Sequence, residues 1–142
     1  AADWCVDESR VYYSGHSDGG SVTTVLTLAG QAPVAAVAPS AAGIEDVHGP
    51  SLGCAGATPA MVIHSADDEI FPTPGHGVGA ASHWAGCWSC GALGPADANG
   101  CRNYEDCAGG EVIYCETSGS HYDWYGLNGP MLDFFDRHQL PP

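Results

Sequence analysis

The pentapeptide Gly15-His16-Ser17-Asp18-Gly19 is the part of this sequence whose residue types most directly suggest chemistry. It fits the pattern G-x-S-x-G, in which a serine lies on a strained turn between a strand and a helix and its hydroxyl projects above the sheet. Glycine is expected at both ends because the turn brings the strand and helix backbones too close together for a Cβ atom. Such a serine can attack a carbonyl carbon when a neighbouring base accepts its proton. Ser17 is therefore the candidate nucleophile.

Candidates for the base, and for the acid that orients it, come later in the chain. In proteins that use this motif the order is serine, acid, histidine. Asp67, Asp68 and Glu69 follow the third apolar segment of the chain, and His121 follows the fourth. If these segments are parallel strands, the residues after them lie at the same edge of the sheet as Ser17. His121 is thus the candidate base, whereas sequence order does not separate Asp67 from Asp68 as the acid.

Four short apolar segments are predicted to be the strands that hold these residues. The first is a β-branched and aromatic run that ends near Gly15. The second and third are bounded by proline or glycine and lack alternation of polar and apolar residues, which is typical of parallel strands buried on both faces. Their ranges are 10–13, 33–39, 60–64 and 112–116. Helices are predicted at 21–28, at 75–84, where glycines weaken the prediction, and at 130–139. This order predicts an α/β fold with a mainly parallel sheet flanked by helices.

The composition limits the classes of function. A chain of 142 residues provides for one core, so we expect a single domain spanning residues 1–142. Seventeen acidic residues against three basic ones give a formal net charge of −14, which excludes nucleic acid and anionic membrane surfaces as favoured partners. The apolar stretches are also too short to cross a bilayer.

Seven cysteines in so small a chain favour disulfides formed in an oxidising compartment, so a secreted, extracellular protein with one thiol left over is expected. Residues 88–110 lack periodicity and are predicted to be a disulfide-tied excursion from the sheet. Zinc is the competing interpretation, since Cys87-x-x-Cys90 is followed by Cys101 and Cys107. The second pair is separated by five residues rather than two, which favours disulfides. We therefore expect no metal and no cofactor.

Four segments carry a resemblance to a known family. They are CVDESRVYYSGHSDGG at 5–20, HSADDEIFP at 64–72, residues 84–90, and the stretch from 107 to 121. They resemble the elbow, the acid loop, a helix end, and the final strand with its histidine loop in the secreted polyhydroxybutyrate depolymerase and feruloyl esterase group of α/β-hydrolases. The resemblance covers nearly the whole chain. It implies a serine esterase that acts through an acyl-enzyme on feruloyl or acetyl esters of polysaccharides, or on polyesters.

The resemblance also implies roles for individual residues. Matching the acid loop with Pro72 as its fixed end places the acid on Asp68. The backbone N–H of Asp18 is implied as one oxyanion-hole donor. Apart from the resemblance, the aromatic residues Trp84, Trp88, Tyr122 and Trp124 could form a platform for an acyl group, although core packing is expected for at least two of them. The substrate-binding candidates are His16, Tyr122 and Trp124.

A disulfide pattern is implied in the same way. Cys90 and Cys107 resemble the group's paired cysteines, and Cys101 and Cys115 would then face each other across a short hairpin. One bridge and one free thiol remain to be shared among Cys5, Cys54 and Cys87, with Cys5 and Cys54 as the disulfide candidates.

The chain departs from the group before the elbow. Only 16 residues precede Ser17, where members of the group carry the first strands of the sheet and the loop with the second oxyanion-hole donor. We therefore expect an N-terminally shortened hydrolase-like sheet whose first strand is an exposed edge. That edge is expected to be closed by a homodimer or by an upstream segment. The alternative to an esterase is a non-catalytic hydrolase remnant that serves as a binding or assembly module.

Overall fold

The fold is built on a five-stranded sheet. A computed structural model describes residues 4–31, 33–43 and 52–141. Within these ranges the strands, in the spatial order β1-β2-β3-β5-β4, are β1 (Tyr12–His16), β2 (Ala36–Ser40), β3 (Ala60–Ser65), β4 (Cys101–Asn103) and β5 (Val112–Thr117). All neighbouring pairs are parallel except β4 and β5, which are antiparallel. The predicted α/β class with a mainly parallel sheet is therefore confirmed.

Three helices in the described ranges pack on the two faces of this sheet: α1 (Asp18–Leu28), α2 (Thr73–Cys87) and α3 (Asn128–Asp136). On one face, Leu28 of α1 and Trp84 of α2 join a common core cluster. On the other face, Phe134 and Phe135 of α3 belong to a second cluster. Because both faces are covered, every residue of β2 and β3 is buried, which explains why these strands show no alternation in sequence.

Helix α1 buries its threonines and Leu28, and it exposes Val22 and Leu26 to solvent. Thr23, Thr24 and Thr27 are buried, and each hydroxyl donates to the carbonyl four residues earlier, so no polar group on this face lacks a partner. Val22 and Leu26 are 56% and 41% exposed. The outer face of α1 is therefore apolar, next to the edge of the sheet formed by β1.

Helix α2 is longer than the predicted segment 75–84, although glycines lower its intrinsic propensity. A Cβ atom at Gly77 would lie 2.9 Å from the Cβ of His64 on β3. Glycine is needed there because the helix packs directly against the strand. The residue that weakens the sequence prediction is thus the one that lets α2 approach the sheet.

Two details of the sheet differ from the prediction. The first strand lies at Tyr12–His16 rather than at 10–13, because Glu8–Arg10 forms a 3₁₀ turn capped by the Asp7 carboxylate. The residue pattern gives no strand within 88–110, since Cys-Arg-Asn carries no strand signal of its own, but the short hairpin that the resemblance implies is present as β4 and β5. Strand β4 forms by pairing with β5, where Cys101 lies opposite Cys115. Among the described residues no strand pairs with the outer side of β1.

In the described ranges we find no helix with the length and apolar character that crossing a membrane requires.

Candidate active site

Ser17 occupies a strained turn between β1 and α1. Its φ of 56° and ψ of −124° lie outside the regions that residues with side chains normally adopt, and its N–H donates to the carbonyl of Ser40 at 2.9 Å. A Cβ atom at Gly15 would collide with the backbone of Gly19, and one at Gly20 would lie 2.8 Å from the Ser40 carbonyl oxygen. A Cβ atom at Gly19 would meet no described atom within 4 Å. The turn therefore requires glycine at 15 and 20, whereas the expected steric need at Gly19 is wrong.

The three residues predicted to act together form one hydrogen-bonded chain. Ser17 Oγ lies 2.7 Å from His121 Nε2, and His121 Nδ1 lies 2.9 Å from Asp68 Oδ2. Because the carboxylate can only accept at this contact, Nδ1 carries the proton and Nε2 accepts from the serine hydroxyl. His121 and Asp68 are buried, at 4% and 5% exposure. This arrangement can remove the proton of Ser17 and stabilise the imidazolium that results.

Asp68 is built to remain ionised. Burial opposes its charge, but the N–H of Phe71 at 2.7 Å, the His121 ring and the N–H of Ile70 at 2.9 Å outweigh that penalty and lower the pKa of Asp68. The loop that follows β3 thus supplies its own backbone donors to the acid. Sequence order did not decide whether Asp67 or Asp68 is the acid. Asp68 contacts the imidazole of His121, whereas the Asp67 side chain accepts from the backbone N–H of Gly119.

His64, on β3, lies behind this carboxylate. Its Nε2–H donates to the Phe71 carbonyl at 2.7 Å and is 3.5 Å from Asp68 Oδ2. Burial lowers the pKa of His64, because the charged ring would lose its hydration. A neutral ring at this place holds the acid loop without competing with His121 for the charge of Asp68.

The carboxylates on either side of Asp68 hold the backbone of the histidine loop. Asp67 Oδ2 accepts from the N–H of Gly119 at 3.3 Å. Glu69 accepts from the N–H of His121 at 3.0 Å and from the Ser120 hydroxyl at 2.7 Å. These contacts lower the pKa of Glu69, with the His121 backbone N–H as the largest cause. Sequence reasoning missed this role of Glu69, for which the only signal was the run of three acids.

The substrate-binding candidates lie beside the triad but differ in what they can offer. Both ring nitrogens of His16 are engaged, Nε2 with the carbonyl of His121 at 2.6 Å and Nδ1 with the Ser40 hydroxyl at 3.2 Å. His16 therefore supports the histidine loop, and only its ring faces remain for a substrate. Tyr122 and Trp124 are 79% and 49% exposed, with rings next to those of His121 and His16 respectively. They form an open aromatic rim.

The backbone N–H of Asp18, the predicted oxyanion donor, lies at the N-terminus of α1. Asp18 is the first residue of α1, directly after Ser17, and the first amides of a helix have no intrahelical acceptor. The positive end of the helix dipole adds to their effect on a developing negative charge. Both properties would allow the Asp18 N–H to act as an oxyanion donor. No second donor is assigned among the described residues.

All seven cysteines lie within the described ranges. Disulfides join Cys90 to Cys107 and Cys101 to Cys115, in the pattern implied by the resemblance, so these residues do not form the competing zinc site. The third disulfide joins Cys54 to Cys87. Cys5 is free and exposed, so its candidacy as a disulfide partner is wrong.

Comparison with known proteins adds no relative to this picture. No protein-family model matches the chain, and no curated protein matches it either. The geometry of the described residues therefore carries the functional argument.

Proposed function

We propose that this chain is a serine carboxylic-ester hydrolase of the α/β-hydrolase type. The single observation that carries the proposal is the continuous chain of hydrogen bonds from Ser17 Oγ through the His121 ring to the Asp68 carboxylate, at 2.7 and 2.9 Å. The strained turn at Ser17 supports it, because backbone strain of this kind is typical of a serine whose hydroxyl must project from a sheet.

In the proposed reaction, His121 Nε2 takes the proton of Ser17 as the oxygen attacks the ester carbonyl. Asp68 holds the imidazole in the required tautomer and stabilises its charged form. The N–H of Asp18 donates to the carbonyl oxygen as it becomes negative. The imidazolium returns its proton to the leaving alcohol, and water then releases the acyl group from Ser17 by the same steps in reverse.

The surroundings of the triad favour neutral, apolar esters. The formal net charge of −14 opposes polyanionic substrates. Exposed Tyr122 and Trp124 beside the reacting groups suit an aromatic acyl group or an apolar polymer surface. Feruloyl or acetyl esters of polysaccharides and polyesters are the substrates that fit both properties, in agreement with the resemblance to the polyhydroxybutyrate depolymerase and feruloyl esterase group. The three disulfides support a secreted, extracellular location.

The test is hydrolysis of short p-nitrophenyl esters by the purified chain. The Ser17→Ala variant, which loses only one hydroxyl, is the matched control. Turnover by the wild type and none by Ser17→Ala supports the proposal. Equal rates for both proteins would contradict it, because the signal would then come from another nucleophile or from impurity.

A non-catalytic binding or assembly module is the second candidate, favoured by one observation. The outer side of β1 pairs with no described strand, and the neighbouring face of α1 exposes Val22 and Leu26. Unpaired edges of this kind invite pairing with another chain. Light scattering on the purified chain measures this association. A larger species without esterase activity favours the module, whereas an active species at 14.6 kDa rules out both the module and a homodimer through β1.

A further inference from the structure

A second group of reactive side chains lies at the end of α2. His83 and Cys87 are four residues apart in this helix, so their side chains share one face. Cys54, in the segment before β3, is joined to Cys87 by a disulfide. A ring nitrogen of His83 and the two sulfur atoms all lie within 4.8 Å of one another. The helical spacing and the disulfide together bring three metal-binding side chain types to one place.

His83 has a buried polar atom that its protein environment does not satisfy. Its Nε2 is inaccessible to solvent and has no hydrogen-bond partner among the described residues. Leaving such an atom without a partner is unfavourable, because the nitrogen has lost its hydration and gained no hydrogen bond in return. Neutral imidazole nitrogens are the commonest metal ligands in proteins. The His83 ring therefore has one nitrogen within 4.8 Å of two sulfur atoms and a buried nitrogen without a protein partner, and together these observations point to a ligand.

We propose that reduction of the Cys54–Cys87 disulfide opens a site for one soft divalent metal ion, such as Zn²⁺, held by Cys54, His83 and Cys87. One thiolate of a dithiol reductant attacks Cys54 Sγ, the Cys54–Cys87 bond breaks, and Cys87 leaves as a thiolate. The second thiol of the reductant then displaces Cys54, so the reductant becomes a cyclic disulfide and the protein gains two thiols. Zn²⁺ binds the two thiolates with loss of their protons, and the neutral His83 ring supplies the third ligand.

The geometry requires little movement for this change. Tetrahedral zinc, with Zn–S near 2.3 Å and Zn–N near 2.0–2.1 Å, places its ligand atoms roughly 3.4–3.8 Å apart. The three ligand atoms are already within 4.8 Å, and breaking the S–S bond lets the two sulfurs separate by side-chain rotation. The three protein ligands leave a fourth position for water.

Exposure makes this bridge the one that an external reductant reaches first. Cys54 is an exposed residue whereas Cys87 is half-buried, which favours attack from the Cys54 side of the bond. The other two disulfides contain no exposed cysteine, and Cys115 is fully buried in β5. The bond that opens first is thus the one with the histidine beside it.

The consequence is that the segment before β3 stays attached to α2 in both redox states. In the oxidised protein the attachment is the covalent bond, and in the reduced protein it is the metal. No hydrogen bond among the described residues joins Cys54, His83 or Cys87 to the triad, so metal binding can be tested independently of esterase activity.

Graded reduction of the intact chain with a phosphine, followed by alkylation and peptide mapping, tests the first step. Cys54 and Cys87 should be alkylated before the other paired cysteines. Appearance of Cys90 and Cys107, or of Cys101 and Cys115, ahead of them would overturn the proposal.

Titration of the partly reduced protein with Co²⁺ alone, used as a visible probe for Zn²⁺, tests the second step. One equivalent should give thiolate-to-cobalt charge-transfer and tetrahedral d–d absorption, and Zn²⁺ should abolish both. His83→Gln should weaken binding by about 10- to 100-fold or more, since a lost ligand costs at least as much as a lost outer-shell partner. The Cys54→Ser/Cys87→Ser double variant, reduced in the same way, should bind no Co²⁺.

A thermal unfolding series completes the test and covers the case in which a variant folds poorly. Zn²⁺ should raise the unfolding temperature of the reduced wild type and leave that of the oxidised wild type unchanged. Absence of a shift in the reduced wild type, or equal Co²⁺ binding by the double serine variant, contradicts the proposal.

Discussion

Two regions of this molecule hold their loops by different means. The loop after β3 carries Asp68 and the loop after β5 carries His121. Three successive carboxylates of the first loop accept hydrogen bonds from N–H groups of the second. The excursion at 88–110 is joined to itself and to β5 by the disulfides Cys90–Cys107 and Cys101–Cys115. One region depends on charge and protonation, and the other on covalent bonds.

The difference follows from what surrounds each region. The two site loops leave neighbouring strands in register, with Ser65 opposite Thr117, so their polar groups start close together. The excursion contributes only the three-residue strand β4 to the sheet, and of residues 88–110, all of which are described, only Gly94 is buried. A segment that buries so little apolar surface needs another source of stability, and a disulfide supplies it by restricting the unfolded chain. Polar contacts suffice where the core already fixes the backbone.

The largest expected effect concerns the charge-dependent region. Ser17→Ala and His121→Ala should abolish ester hydrolysis. Asp68→Asn should lower kcat by about 10⁴, because the amide can hold the imidazole in the wrong tautomer and carries no charge to stabilise the imidazolium. Asp67→Asn is the matched control, since it changes the adjacent carboxylate that contacts only the loop backbone. Steady-state rates with p-nitrophenyl acetate measure both. An equal loss in Asp67→Asn would show that the acid is wrongly assigned.

The covalent region should show the opposite behaviour. Replacing Cys90 and Cys107 together by alanine should lower the free energy of unfolding by about 3 kcal/mol, the value expected for closing a loop of this length. The value of kcat should change less than about threefold at a temperature where the variant is folded. Urea denaturation and rate measurements on the same sample give the two numbers. A fall in kcat comparable to that of Asp68→Asn would remove the distinction between the regions.

Glu69→Ala should have a smaller effect on rate than the triad variants. The change removes the acceptor for the His121 N–H and the Ser120 hydroxyl, contacts worth about 1 kcal/mol, so kcat should fall by about fivefold to tenfold. Glu69→Gln, which keeps one acceptor oxygen, should recover part of the rate. Glu105→Ala, at an exposed position of the excursion, serves as the control and should leave kcat unchanged. Equal kcat values for Glu69→Ala and the wild type would show that the loop is held without this carboxylate.

The smallest expected effect is a difference between the two regions in how the free energy of unfolding depends on pH. The pKa of Asp68 is lowered in the folded protein, so its ionised form stabilises the fold at pH values above its ordinary pKa of 3.8. This contribution is lost as the pH falls from there through the lowered pKa. The difference in unfolding free energy between wild type and Asp68→Asn should therefore shrink below pH 4, whereas the loss in the Cys90/Cys107 double variant should stay constant. Denaturation curves at several pH values measure both, and parallel behaviour would contradict the comparison.

Local patterns were enough to predict part of this structure. The glycine-flanked serine, the buried strands without alternation and the final amphipathic helix each depend on neighbours within a few residues, so the sequence alone predicts them. The order of Ser17, the acid loop and His121 also follows from the chain, because parallel strands bring their carboxyl ends to one edge.

Other features depend on contacts between residues far apart in the chain, and only the tertiary structure decided them. Order along the chain did not decide which of two aspartates is the acid. The register of β3 against β5 places Asp68 rather than Asp67 next to the imidazole. That same register gives Glu69 its partners. The strand β4 exists because β5 offers a free edge, and the partner of Cys54 is fixed by where α2 ends. Sequence patterns report the preferences of a segment, whereas pairing across the sheet depends on how the whole core packs.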